Sequence, residues 1–297
     1  MSLINIKYKP VLLGLAVGLA VTGCQKMERP VLKELILDPE PPAYNELKSF
    51  WSFENNLTDG GENSLTPTSN AVTYVAGVTG QAAQIGADGY ILLKAATDTV
   101  VYDNEFVGIP ADTLKNLGSF TFAFWMNGVG PVKDGAQGVF SISNSAEFWG
   151  NLDMFLENQD NGNEAFFKIH MFNANAPSGN GEQWNEVKVA NVYNKWTHVA
   201  VVYDAATSAL SLFADGAATG IANKKLTFSD GSDYGKVRFA NFNGMVLGTH
   251  QFQTAPSLTN HGPEGWAKSF NGALDQFRIY NRALSSAEID DLYTTKK

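Results

Sequence analysis

The sequence predicts an all-β fold, a two-sheet jelly-roll β-sandwich closed by one short C-terminal helix. Three observations carry this expectation. From Lys48 onward the chain is a succession of short β-type runs separated by clusters of Gly, Asn, Asp and Ser. Hydrophobic residues make up 44% of the 297, and aromatics are plentiful at Phe 19, Tyr 10 and Trp 6, a supply that suits packed strands. Beyond Lys48, helix signals converge on one stretch, close to the C-terminus. Many strands with one late helix fit a sandwich better than a helical or α/β domain.

The N-terminus precedes that domain and has a different character. A basic segment, MSLINIKYK, leads into PVLLGLAVGLAVTG, an apolar run shorter than the roughly 20 residues a spanning helix needs. Residues 1–24 therefore read as a cleaved export signal. Val21-Thr22-Gly23-Cys24 resembles a bacterial lipobox, which implies lipidation of Cys24. Cys24 is also the only cysteine, so no disulfide can form within the chain. Gln25, where Asp would retain a lipoprotein in the inner membrane, implies by resemblance to Gram-negative sorting rules an outer-membrane lipoprotein exposed on the cell envelope. Residues 25–47 carry four prolines and mixed charge, which suits a stiff tether. Loss of the signal removes Lys7 and Lys9 and no acids, deepening the formal charge from −9 to −11. Nucleic acid is excluded as a partner, since phosphate neutralisation needs a basic surface, and a neutral or weakly polar ligand is expected instead.

The domain, 48–297, is read in chain order. SFWSFEN, YILL, SFTFAFWMN, GVFSIS, LDMFLEN, AFFKIHMF, NEVKVAN, WTHVAVVYD, LSLFADG, KVRFAN, GMVLGT and GALDQFRIYN are the expected strands. Asp215-Gly216 marks a tight hairpin, because both residues tolerate positive φ. Ser285 and Glu288 fit a capping box, flanked by Leu284 and Ile289 as a hydrophobic staple, so SAEIDDLY should be helical. Alternation places Leu152, Met154 and Leu156 on one face of their strand, and Asp153 and Phe155 on the other. In the following strand Phe167, Ile169 and Met171 turn inward, leaving Lys168 and His170 outward beside Asp153 and Phe155. Trp125 alternates with Phe124 and Met126 and is expected to join that outward patch. The long loops 173–186 and 248–268 add Trp184, His250, His261 and Trp266, and polar loops of such length are usually functional. Aromatic rings for sugar CH faces, with Asp and His for hydroxyls, make Trp125, Asp153, Phe155, Lys168, His170, Trp184 and Trp266 the candidate glycan-binding set.

Four segments together resemble the laminin-G-like branch of the concanavalin A-like lectin/glucanase superfamily. They are FWSFENNLTDGGENS at 50–64, SFTFAFWMN at 119–127, KWTHVAVVYDAATSALSLFADG at 195–216 and FNGALDQFRIYNRALSSAEIDDLY at 270–293. Their order and spacing cover nearly all of 48–297. The resemblance implies the jelly roll, but the fold hosts lectins, glycosidases and adhesive modules alike. It also implies a structural calcium ion where the first and last strands meet, for which Glu54, Asp59 and Asp275 are the acids at matching places, with backbone carbonyls completing the shell.

Matched to the catalytic strand of the glucanase branch, this chain has Asn151 at the nucleophile position, Asp153 at the helper position, and Phe155 or Leu156 at the acid position. Glu157 is the remaining acid, and Asp153 and Glu157 lie roughly 13 Å apart along one strand. Paired glycosidase carboxylates need about 5–5.5 Å or about 6.5–9.5 Å, so one strand cannot supply them. A partner from another strand, such as Glu147 or Glu164, would be needed. No nucleophile elbow, phosphate loop or His-Glu-x-x-His pair occurs, and the four histidines lack zinc-ligand spacing. His198 is expected to be a hydrogen-bonded structural residue. The function expected is non-catalytic glycan binding by a lipid-anchored envelope protein, similar to accessory lipoproteins of outer-membrane glycan importers. A glycosidase and a protein-binding adhesive module are the alternatives.

Overall fold

A computed structural model describes residues 46–297 except 64, 95–100, 103–104, 107–113, 159–162, 178 and 297. Cys24, the signal and nearly all of the tether therefore lie outside the described residues. The strands are β1 (Leu47–Trp51), β2 (Thr66–Ala76), β3 (Gln81–Lys94), β4 (Val101–Tyr102), β5 (Glu105–Phe106), β6 (Phe120–Gly128), β7 (Ala136–Ile142), β8 (Leu152–Glu157), β9 (Glu164–Phe172), β10 (Glu182–Ala190), β11 (Thr197–Asp204) and β12 (Ala209–Ala214). They continue as β13 (Ala217–Ala218), β14 (Lys224–Lys225), β15 (Gly244–Leu247), β16 (Ala267–Ser269) and β17 (Gly272–Tyr280). One helix, Ser286–Thr295, follows.

Apart from β4 and β5, which form a separate two-stranded sheet, the strands form one continuous curled ladder, in the order β10-β9-β8-β7-β15-β3-β17-β6-β11-β12-β13, and β1 adds to β17. The curl is made by the β2–β3 hairpin. The first part of β3 pairs with β17 through Ala83–Ile85, and its last part pairs with β15 through Ile91–Lys94. Between them the β2–β3 register slips, with Ala71 and Asp88 at positive φ. A bulge there bends the hairpin and lets it serve both layers. The result is the jelly-roll sandwich expected from the sequence.

The core lies between the two layers and is aromatic at its centre. Phe122 stacks on Phe140 with ring centroids 5.2 Å apart, and Phe124 on Phe277 at 5.0 Å. Leu152, Met154 and Leu156 of β8 and Phe167, Ile169 and Met171 of β9 are all fully buried in it, as alternation requires. The Asp215-Gly216 hairpin is present, with φ of 49° and 77°. Ser285 caps the helix through a complete capping box, and Leu284 packs with Ile289.

Besides the short β4, β5, β13, β14 and β16, which were not expected, two longer segments differ from expectation. KVRFAN forms only an isolated bridge, Val237 to Gly118, because its neighbours spend their polar groups on loop contacts such as Ala240 N–H donating to Asn151 Oδ1. The eleven-residue β2 was not expected, since its Thr, Ser and Asn content hides a strand whose residues are mostly exposed.

Candidate functional site

Cross-strand register decides which outward residues meet. Ser141 of β7 lies opposite Asp153 of β8, Asp153 opposite His170 of β9, and His170 opposite Trp184 of β10. The next row holds Phe155, Lys168 and Glu186. The expected face is thus assembled, but it is not open. Asp153 and His170 are each 1% exposed and Phe155 is buried as well. Two loops cover them. The turn 144–150 lays Trp149 parallel to Phe155, 5.4 Å away and tilted by 8°. The segment 248–266 brings His250, Phe252 and Trp266 over the same strands.

Local sequence permits these close approaches. A Cβ on Gly138 would lie 2.4 Å from the Thr249 backbone, so glycine lets the covering segment cross β7. A Cβ on Gly150 would strike Ile142 O, Ser141 Oγ and Asp153 Oδ1 within 2.8 Å. Gln251 ties the two loops together, donating from Nε2 to Glu147 O and Phe148 O and accepting from Asn144 N–H. Phe252 stacks on Phe148 at 4.2 Å.

The polar floor is a linear relay. Ser141 Oγ donates to Asp153 Oδ1 at 2.5 Å, Asp153 Oδ2 is 3.0 Å from His170 Nδ1, and His170 Nε2 is 3.3 Å from Glu182 Oε1. A neutral imidazole has one N–H, whereas two carboxylates flank this ring and both accept. Burial opposes the charge on His170, but hydrogen bonds to Asp153 and Glu182 outweigh it and raise the pKa above the ordinary value. The same bond to His170 lowers Glu182. Trp184 lies over the imidazole at 4.6 Å, a position that favours a cation. His250, fully buried and 3.4 Å from Ala136 O, is pushed down to about 4 by burial and stays neutral.

Two cavities open on either side of Trp149. One, of about 590 Å³, is lined by Asn144, Glu147, Trp149, His170, Asn180 and Glu182, among others. The other, of about 400 Å³, is lined by Trp149, Phe155, Lys168, Trp184 and Trp266 together with Glu157 and Glu186. Trp184 and Trp266 are each 39% exposed, the rings most available to a ligand there. Trp184 sits on β10 rather than in a loop. His261 packs edge-on to Phe148 at the margin. Trp149 escaped sequence reasoning because its neighbours gave it no strand periodicity; the adjacent Phe148-Trp149 pair inside a polar turn was the available signal.

Trp125 does not belong to this face. It lies on β6 in the other layer, in a row with Asp275 of β17 and His198 of β11. It is 4% exposed, stacked against Tyr293 of the C-terminal helix at 5.7 Å and packed on His198 at 5.2 Å. Alternation gave the correct outward parity for the wrong sheet. His198 is structural but not hydrogen-bonded at Nδ1, which has no partner among the described residues, and burial drives it down to about 4.

The catalytic alternative finds little support in the geometry. Asn151 is a scaffold residue, donating to Ser143 O and Ala240 O. Asp153 is locked between Ser141 and His170, and Glu157 pairs with Lys168 at 3.0 Å.

The expected calcium ligands do not converge as three. Asp59 spends its carboxylate on the N–H groups of Phe50, Gly61 and Leu65, which fold its own loop. No group of three potential metal ligands occurs among the described residues. Glu54 and Asp275 do approach one turn: Gln81 N–H donates to Glu54, and Val78 N–H to Asp275 Oδ2. Asp275 Oδ1 is buried without a partner among the described residues, and burial pushes this carboxyl up to about 6, with the Glu54 charge adding to the effect. An unsatisfied buried carboxylate oxygen beside a second carboxylate fits a cation, with two acidic ligands in place of three.

Comparison with known proteins agrees with this architecture. The family model Laminin_G_3, described as concanavalin A-like lectin/glucanases superfamily, matches residues 102–290. No curated protein matches the sequence. Domain 4 of AbnA, a GH43 extracellular arabinanase from Geobacillus stearothermophilus solved with arabinotriose, superposes with a TM-score of 0.50 at 16% identity, covering 84% of this chain and 98% of that one. The binding domain of botulinum neurotoxin DC in complex with SialylT gives 0.52 at 14% identity, covering 85% of this chain and 52% of the other. The receptor binding domain of a botulinum neurotoxin C/D mosaic gives 0.53 at 11%, covering 84% and 51%. This chain thus spans about half of each toxin domain it matches. These likenesses are of fold. On its curled antiparallel sheet, its capped C-terminal helix and the family match across 102–290, the chain belongs to the concanavalin A-like lectin/glucanases superfamily, in its laminin-G-like branch.

Proposed function

We propose that this protein is a non-catalytic glycan-binding module whose site is the aromatic cleft on the outer face of β7–β10. The observation that carries the proposal is the grouping of Trp149, Trp184 and Trp266 around two cavities whose remaining walls are hydrogen-bonding side chains. Half-exposed indoles offer stacking faces to sugar CH groups, and Asn144, Asn180 and Glu182 offer partners to hydroxyls. The buried Asp153–His170 pair holds β8 and β9 in register beneath the rings, so the platform is preorganised. One neighbour in fold, domain 4 of the arabinanase AbnA, was solved with arabinotriose, which supports the reading by analogy.

Around that site the proposal includes a Cys24 lipid anchor, an outer-membrane location, a tether over 25–47 and service to a glycan importer. Their support is the lipobox-like Val21-Thr22-Gly23-Cys24, the Gln25 that follows it and the four prolines of 25–47. We also propose a structural calcium ion held by Glu54 and Asp275, where it would brace the turn between β2 and β3. Hydrolysis is not part of the proposal, for the positions that would carry it hold Asn151 and a hydrogen-bonded Asp153.

A glycan-array screen of the purified protein tests the function. Retained glycans should lose at least tenfold in affinity on Trp184→Ala or Trp266→Ala. Retention insensitive to both substitutions would move the site elsewhere, and reducing sugar released on prolonged incubation would favour the glycosidase.

A further inference from the structure

The charge on the cleft walls points to a narrower class of ligand. Four carboxylates line the two cavities: Glu147 and Glu182 in the larger, Glu157 and Glu186 in the smaller. Against them stand two cations, and each is already engaged. Lys168 Nζ lies 3.0 Å from Glu157 and 3.1 Å from Glu186, and its pKa is raised by those two bonds against the cost of burial. His170 is held between Asp153 and Glu182 beneath the indoles. No arginine lines either cavity among the described residues, so the bidentate fork that recognises carboxylate and sulfate is missing from these walls.

We infer that the cleft takes glycans without anionic groups, either uncharged or amine-bearing, and turns away those carrying uronate, sialate or sulfate. This rests on the glycan-binding proposal and names its ligand class. The physical reason is a difference of affinities. Any sugar can stack on Trp149, Trp184 and Trp266, so the rings do not discriminate by charge. An acidic sugar brought against them meets carboxylates whose neighbouring cations are already paired, an unfavourable juxtaposition that an uncharged sugar avoids. To reach Lys168, an anion would have to approach between Glu157 and Glu186, whose charges repel it. An amine, in contrast, finds carboxylate partners on both sides of Trp149. The exclusion is thus built by local pairing and goes further than the net acidity of the chain, which would act only at long range and be screened by salt.

The test uses matched pairs. The purified protein is screened on a glycan array, and each acidic glycan is compared with its uncharged counterpart, carboxyl-reduced for uronate or sialate and desulfated for sulfate, by calorimetry at 20 mM and 500 mM salt. The retained set should be uncharged or amine-bearing. Acidic members should bind at least tenfold more weakly than their reduced forms at low salt, with the gap narrowing at high salt. Glu147→Gln/Glu157→Gln/Glu186→Gln should narrow it as well. An acidic glycan bound as tightly as its reduced form, and sensitive to Trp184→Ala, overturns the charge inference while leaving the glycan site standing. If no glycan is retained, or retention ignores Trp184 and Trp266, the glycan site itself is refuted and the inference falls with it.

Discussion

Trp125 and Trp184 both face outward from their strands, and substituting each separates core from site. Trp125 is 4% exposed, roofed by Tyr293 and flanked by His198 and Asp275. Trp125→Ala should cost about 3–5 kcal/mol, the usual loss for a buried Trp or Phe. At about 2–4 °C per kcal/mol for a domain of this size, the melting temperature should fall by about 6–20 °C. The Nε1 of Trp125 has no partner among the described residues, so Trp125→Phe, which keeps one aromatic ring in place, offsets part of the lost packing by shedding an unsatisfied donor worth about 1–3 kcal/mol. That variant should melt close to the parent. Trp184→Ala removes a ring that is 39% exposed and should cost about 1 kcal/mol or less. The assay is near-ultraviolet circular dichroism through the thermal transition, with calorimetric titration of a retained glycan below it. Trp125→Ala melting within 2 °C of the parent, with glycan binding abolished, would refute the assignment of Trp125 to the packing under the helix.

Three further outcomes follow from the charged groups and the anchor. His170 has a raised pKa, so its contribution is complete below the unfolded value and is lost as pH climbs through the folded one. The melting gap between the parent and His170→Gln should therefore be wide at pH 5.5 and shrink toward alkaline pH, read by scanning calorimetry; a gap that widens with pH would break the relay. Asp275 is raised to about 6, so its ionisation opposes folding increasingly as pH rises from about 4 through that value. In metal-stripped buffer Asp275→Asn should melt higher than the parent at pH 7.5 and near it at pH 4. Added calcium should then stabilise the parent alone, by about 2.7 kcal/mol at a hundredfold excess over Kd. No response of the parent to calcium would remove the ion from the proposal. Cys24→Ser should release the protein from membranes on mild extraction, and retention after a salt wash would disprove the lipid anchor.

Local sequence signals were enough for most of the strands, for their faces and for the C-terminal helix, though not for β2. Period-two alternation buried Leu152, Met154 and Leu156, and the Ser285–Glu288 box set the helix start, because both signals are local and steric. Alternation also determined that Asp153, Phe155, Lys168 and His170 share a side, since neighbouring strands in a hairpin inherit each other's parity. Which outward residues from distant segments meet depends instead on the order of strands in the folded sheet. Trp125 and Trp184 have the same parity, yet strand order sets them on different layers, one against Tyr293 and the other against His170. The tertiary structure also decided that the face of β8 and β9 is a covered floor. Alternation reports the side of a strand and says nothing of what crosses above it. The crossing depends on Gly138 and Gly150 admitting backbone, and on Gln251 tying two loops about 100 residues apart. The same limit applied to the acids. Asp59 and Asp275 look alike in sequence, but the first is consumed by its own loop while the second is buried with one oxygen unpartnered, a difference made by where three backbone N–H groups happen to point.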